Sequence, residues 1–363
     1  MDSPYLEKLE ALPSQLVFIM GCHRSGTSLL YHLLAYTGQV DYISAYDIIK
    51  YDELLHNRIS GREAEVKAHL QRLLQREANR GLDELPVGTD VPEEYRPLIH
   101  RERGGRTWTI DPLLDQLFFA PSLTKSSVSA ILTLLRKKRF LSDADRPLIL
   151  KNPADYYFNF WTVHEIFPQA KFIFIHRHPL FMFNSYLCSI PPVLNLRSNY
   201  ASLIFPGYRD LFRRSRLRRK LLVRLFRSNL MSRRLLARLV QSFEYYLSHI
   251  ERLPPEQYVQ VRYEDLCSDP AECISRIGAH LGLNLVPSVP RDFVAPRHLP
   301  LLERAKRQYA NRVADMLPYL QHCHYAPWEE PESAAAAAGA GPRSPNGSTS
   351  ERNAKERDVA SDP

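Results

Sequence analysis

The chain has 363 residues, 44% hydrophobic and 24% charged, with a formal net charge of +8. That composition suits a folded chain burying a large core, in one domain or two, and excludes a wholly disordered polymer. The positive balance favours anionic partners, such as nucleotides, sulfated or phosphorylated ligands, nucleic acid or acidic lipid, without choosing among them.

The N-terminal stretch "MDSPYLEKLEALPSQ" leads into an apolar run of about six residues, far short of a signal-peptide core or a membrane span, so a soluble cytoplasmic protein is expected. Cys22, Cys188, Cys267, Cys273 and Cys323 contain no CxxC pair. Their odd number argues against a closed disulfide framework and for a reducing compartment.

The first strand is predicted at 15–20 and runs into "GCHRSGTS", Gly21 to Ser28, which opens the helical pattern "GTSLLYHLLAYTG". A second strand follows at 39–43. Residues 52–146 read as a helical, charged insertion, with the turn-rich segment "LPVGTDVPEEYRPL" inside it. The alternation then resumes with strands at 148–151, 171–176 and 257–263, separated by helical patterns. The last of these patterns has an Asp-Pro start and closes at Gly282. Short apolar runs between helices predict an α/β fold, three layers around a parallel sheet of about five strands, with ligands at the strands' carboxyl ends. Residues 1–328 are expected to form the folded domain. From 329 the chain is rich in Ala, Ser, Gly and Pro and lacks aromatic residues, so 329–363 is predicted to be a disordered tail.

A turn from a buried strand into a helix presents unpaired N–H groups and the positive end of the helix dipole, and so binds oxyanions. Gly21 leaves the strand, Gly26 allows close approach, Ser25, Thr27 and Ser28 add hydroxyls, and Arg24 adds a cation. The GxxxxG frame matches a nucleotide-triphosphate loop, yet Thr27 stands where the lysine belongs. The bland reading is a glycine-rich turn without a ligand. In "FIFIHRHPLFMFNSYLCS", Arg177 leaves the fourth strand and Ser185 lies about two helical turns on, a pairing suited to a phosphate dianion. By itself Arg-x-Pro is a common turn.

Taken in order, these segments resemble the sulfotransferases that use 3′-phosphoadenosine 5′-phosphosulfate (PAPS). "FIMGCHRSGTSLL" resembles their 5′-phosphosulfate loop, with Arg24 at its basic position, and "IHRHPLFMFNSYL" their 3′-phosphate motif, with Arg177 and Ser185. "LILKNPADYYF" resembles the segment that bears a lysine near the transferring group, here Lys151. "VQVRYEDLCSDPAECISRIGAHLGL" resembles an element whose tyrosine, here Tyr263, contacts the donor. The resemblance covers about 15–285. It implies a P-loop fold and sulfuryl transfer from PAPS to a hydroxyl or amine of a small-molecule, lipid or carbohydrate acceptor, with 3′,5′-adenosine bisphosphate as product and no metal.

On that resemblance Arg24 and Lys151 carry the electrostatic roles. The histidine that serves as base in the cytosolic small-molecule enzymes is replaced by Pro153. Asp47 is then the first candidate for the base, Glu93 and Glu94 the second, and His23 the third. Asp47 reads equally as a loop carboxylate or helix cap. Histidines 176 and 178, and those of "HCHY" at 322–325, lack further ligands at metal spacing, and no metal is predicted.

Between Arg209 and Arg238 eleven arginines and one lysine face a single acid, Asp210. This basic segment, 208–252 as a helical lid or 208–247 as a membrane-facing helix, has leucines at helical spacing. It can lie on anionic membrane, hold an acidic acceptor, or pack one face on the domain. No nucleic-acid partner is expected. The competing readings are a P-loop small-molecule kinase, disfavoured by Thr27, and a non-catalytic nucleotide-binding or membrane-surface protein.

Overall fold

The structure, a computed structural model, describes residues 1–9, 11–74, 85–102, 123–195, 197–205, 208, 209, 212, 216–283, 285, 286 and 299–329. Contacts divide the chain into a unit Met1–Ala326 and a unit Pro327–Pro363. The tail expected from 329 lies, beyond that residue, outside the described residues.

β1 (Leu16–Met20) is the middle strand of a five-stranded sheet, with all five of its residues buried. β3 (Leu148–Lys151) and β4 (Lys171–His176) flank it; β2 (Asp41–Tyr42) and β5 (Tyr258–Arg262) form the edges, giving the order β2-β3-β1-β4-β5. Every pairing is parallel, and the register sets Ile19 beside both Lys151 and Ile173, and His176 beside Arg262. The chain visits β2 and β3 on one side of β1 and then crosses to β4 and β5 on the other. A crevice therefore opens at the carboxyl end of β1, the usual ligand position in such sheets.

β2 is shorter than the predicted 39–43. Ile43 gives its N–H to the Tyr31 hydroxyl at 2.9 Å, and that hydroxyl lies 3.1 Å from the Ile149 carbonyl, so a side chain takes over where the ladder ends.

Burial on both faces explains the continuous apolar strands. On one face Val17, Ile19, Ile149, Ile173, Ile175 and Val261 meet Leu30, Leu33 and Leu34 of the helix Thr27–Tyr36 and Ile274, Ile277 and Leu281 of the helix Pro270–Leu281. On the other, Phe18, Phe172 and Phe174 stack with each other, and Phe174 packs on Phe160 and Tyr246 at ring-centroid distances of 5.2 and 5.3 Å. Each such buried side chain contributes roughly 1.5–3 kcal/mol.

Tyr246 belongs to the helix Asn229–Ile250, which also packs on the helices Pro153–Phe158 and Val313–His322. The basic segment is therefore not one helix. It breaks at Arg227–Ser228, where the Ser228 hydroxyl accepts the Met231 N–H at 3.3 Å and starts a new helix after Arg216–Phe226.

The insertion supplies the helices Leu54–Ile59, Glu63–Leu74, Arg96–Glu102 and Lys125–Leu141. Its segment 89–93 runs alongside 43–46: Ala45 N–H bonds to Val91 C=O, Tyr46 N–H to Thr89 C=O and Glu93 N–H to Ile43 C=O, at 2.8–2.9 Å. This pairing carries residues 93–96 to the carboxyl ends of β2 and β3.

Candidate active site

After Met20 the chain turns through Gly21–Gly26 into the helix Thr27–Tyr36, with Arg24 at φ +71° and Gly26 at φ +100°. The glycines are required by proximity. A Cβ on Gly21 would lie 2.6 Å from Ser25 Oγ and 2.7 Å from the Ile175 carbonyl oxygen, and one on Gly26 would lie 2.3 Å from Tyr263 Cδ2. The loop is thus pressed against the ends of β4 and β5. Ser25 is completely buried, and its Oγ has no hydrogen-bond partner among the described residues. Thr27 is buried at the first turn of the helix, where backbone N–H groups lack intrahelical acceptors. Burial pushes the Cys22 thiol up to about 12, so the loop holds no thiolate.

Arg177 follows β4 directly. Its guanidinium donates to the Arg24 carbonyl at 3.1 Å and lies 4.2 Å above the Tyr263 ring. Ser185 is buried in the helix Pro179–Asn195, and its Oγ accepts from Arg24 Nε at 3.1 Å. Four residues from β1, β4 and β5 connections, Arg24, Arg177, Ser185 and Tyr263, therefore form one connected group around the loop. A non-glycine residue at positive φ persists only where its surroundings hold it, and the Arg177 bond to Arg24 is such a hold. The histidines beside Arg177 are committed elsewhere. His176 Nδ1 lies 3.0 Å from the Tyr319 hydroxyl. His178 has Nε2 3.1 Å from the Ala326 carbonyl and accepts the Leu180 N–H at Nδ1.

On the opposite side of β1, Lys151 ends β3 with its side chain buried. Its Nζ lies 2.9 Å from Ser28 Oγ and 3.4 Å from Glu94 Oε2. Behind this pair Asp155 is held by Asn152 Nδ2 at 3.0 Å and by the Tyr95 hydroxyl, and burial raises its carboxyl to about 7. Arg96 is buried as well and places Nη1 3.3 Å from His23 Nε2. A guanidinium only donates, so Nε2 is the accepting nitrogen and Nδ1 carries the proton. Burial, reinforced by Arg96, lowers His23 to about 3. The imidazole is neutral, and its lone pair is already engaged.

The first candidate for the base is placed differently. Asp47 is buried as the third residue of the helix Ala45–Ile49. Its Oδ2 accepts from Ser44 N–H at 2.8 Å and Ser44 Oγ at 2.9 Å, and pairs with Lys138 Nζ at 2.8 Å. With the Asp47 N–H donated back to Ser44 Oγ at 3.2 Å, these make a capping box with an ion pair added. Glu93 is also committed, to the Tyr200 hydroxyl and the Glu94 N–H. Arg96 and Asp155 are polar members of the site that the motif reading did not single out. The spacing Asn152-Pro-Ala-Asp155, a cap followed by an acid in the first turn, was the available signal for Asp155.

The fold is a central parallel five-stranded sheet covered by helices, and the profile of the Sulfotransferase family matches residues 16–287: the chain belongs to that family of transferases. No curated protein matches it in sequence. Among solved structures it is similar to sulfotransferase STF1 of Mycobacterium tuberculosis, with 13% identity, 86% of this chain and 76% of the other covered, and a TM-score of 0.50. The corresponding values for sulfotransferase STF9 of Mycobacterium avium are 16%, 86%, 70% and 0.47. For a sulfotransferase of Alicyclobacillus acidocaldarius they are 15%, 87%, 98% and 0.43.

Proposed function

We propose that the protein transfers a sulfuryl group from PAPS to a hydroxyl or amine of a small-molecule, lipid or carbohydrate acceptor. The observation that carries this reading is the convergence of Arg24, Arg177, Ser185 and Tyr263 around a helix-opening loop whose Ser25 hydroxyl is buried without a partner. An orphaned buried hydroxyl costs about 1–3 kcal/mol, which an oxyanion in the loop would recover. Two arginines and a hydroxyl on the β4 side fit a second anionic group, as a 3′,5′-bisphosphate carries.

When bound, PAPS supplies an activated sulfuryl group on a nucleotide leaving group. The loop N–H groups with Ser25, Thr27 and Ser28 hold the 5′ end; Arg177 and Ser185 hold the 3′-phosphate; Arg24 and Lys151 offset charge that grows on the leaving and transferring oxygens. For the acceptor proton, Glu94 is the group next to Lys151. Asp47 is occupied by its helix cap and Lys138, and His23 by Arg96. By its place beside the loop and next to Lys151, Glu94 is the proposed base, with Lys151 orienting its carboxylate.

The test is thermal stabilisation by 3′,5′-adenosine bisphosphate compared with ATP and magnesium, followed by a screen of hydroxylated lipids, phenols and sugars with radiolabelled PAPS. Stabilisation by the bisphosphate alone supports the donor assignment. Stabilisation by ATP–magnesium alone returns the kinase reading, and bisphosphate binding with no turnover returns the non-catalytic one.

A further inference from the structure

The apolar residues of the basic segment divide sharply by exposure. Leu222, Val223 and Phe226 are buried where the helix Arg216–Phe226 packs on Pro179–Asn195. Leu217, Leu221 and Leu225 of the same helix are 77%, 66% and 37% exposed, and Leu230 at the start of the next is 59% exposed. Leucines spaced by four fall on one stripe of the helix, within an arc of about 80°. Arg216, Lys220 and Arg224, also exposed and also spaced by four, form the adjacent row. Arg233 and Arg234 extend the basic surface beyond Leu230, and no Asp or Glu occurs from Arg216 to Arg238.

A core helix buries its leucines, and a solvated helix has no use for a leucine stripe. A row of outward leucines beside a row of cations is the pattern of a helix lying in the plane of a bilayer surface, leucines in the acyl boundary and cations among the headgroups. Nucleic acid would be matched by the cations and would leave the leucines in water. A second copy of the same face would set like charges against each other. We propose that the face formed by Leu217, Leu221 and Leu225 with Arg216, Lys220 and Arg224 docks the protein on anionic lipid membrane. Among the described residues no helix is long and apolar enough to cross a membrane. Docking therefore uses this surface in place of a span.

The experiment is co-sedimentation of the full chain with vesicles of equimolar phosphatidylserine and phosphatidylcholine, and with phosphatidylcholine alone. The protein is expected to sediment with the first and not the second, and to be released by high salt. Each cation near an anionic surface is worth roughly fivefold in partitioning, so R216Q/K220Q/R224Q lowers it about a hundredfold. L217S/L221S lowers it by about tenfold or more. Both variants alter exposed residues and are expected to keep the parent's melting temperature. Absence of parent sedimentation with anionic vesicles overturns the proposal, as does unchanged sedimentation of either variant. A parent dimer in ultracentrifugation that L217S/L221S dissolves, without lipid binding, assigns the face to a second copy and also overturns it.

Discussion

Replacing Arg177 with methionine separates nucleotide selection from support of the loop, because the guanidinium serves both. In the free protein the variant loses a charged hydrogen bond to the Arg24 carbonyl, 3.1 Å long, and a contact 4.2 Å above Tyr263. A charged hydrogen bond is worth about 1.5–3 kcal/mol, and a cation–π contact at a partly exposed site about 0.5–1 kcal/mol. The fold should lose about 2–4 kcal/mol, which lowers the melting temperature of a unit this large by roughly 3–6 °C. Binding of 3′,5′-adenosine bisphosphate loses a further charged bond, to the 3′-phosphate, equivalent to about 10- to 150-fold in Kd. The 5′-monophosphate has no group at that position. Calorimetric titration of parent and variant with both nucleotides gives the decisive ratio, Kd of the monophosphate over Kd of the bisphosphate. That ratio should shrink by about 10- to 150-fold in Arg177→Met and by about fivefold in Ser185→Ala, which removes one neutral hydroxyl. Equal weakening of both nucleotides would refute the reasoning, because it would leave Arg177 as a support for the loop and nothing more.

Glu94→Gln should reduce turnover with the acceptor found in the screen by about 10²- to 10⁴-fold while bisphosphate affinity holds. Asp47→Asn should behave in the opposite way, costing about 1–2 kcal/mol of stability through its cap and the Lys138 pair, with turnover within about twofold of the parent. A reversed pattern would return the proton to Asp47. Gly26→Ala meets Tyr263 at a φ of +100° and should abolish detectable bisphosphate binding in titration. Unperturbed affinity would mean that the loop yields. Burial holds His176 at about 3, against an ordinary 6.5. The unfolded chain binds its proton first as pH falls. Above pH 6.5 this residue imposes no penalty, and between 6.5 and 3 it removes stability at about 1.4 kcal/mol per pH unit. Chemical denaturation of His176→Asn at several pH values should show that slope reduced by one proton; an unchanged slope would contradict it.

Local chemistry made the sheet and its loop legible. The five strands, the glycine loop and the positions of Lys151, Arg177 and Tyr263 at or just past strand ends all follow from apolar runs and turn residues within short windows. The acid side was not legible in the same way. Glu94 reaches Lys151 only because 89–93 pairs with 43–46, a contact made by backbone bonds across more than forty residues that no periodicity records. For Asp47 the cap alternative was legible, because Ser44-x-x-Asp47 has the spacing of a capping box, whereas its pairing with Lys138 was not. In the basic segment Ser228 was the visible break, a capping residue within a leucine-arginine pattern that otherwise continues through it.

The strand order has a consequence for how such a chain diversifies. Residues around the proposed nucleotide site come from the β1, β4 and β5 connections, whereas Glu94, Tyr95 and Arg96 come from the long excursion between β2 and β3, on the other flank of the central strand. The two halves meet at the loop after β1, where Lys151 reaches Ser28 and Arg96 reaches His23. A graft that exchanges the excursion also removes Glu94 from Lys151 and Arg96 from His23, so under the proposed function a replacement has to bring its own acid and its own contact to the loop before any other acceptor is served.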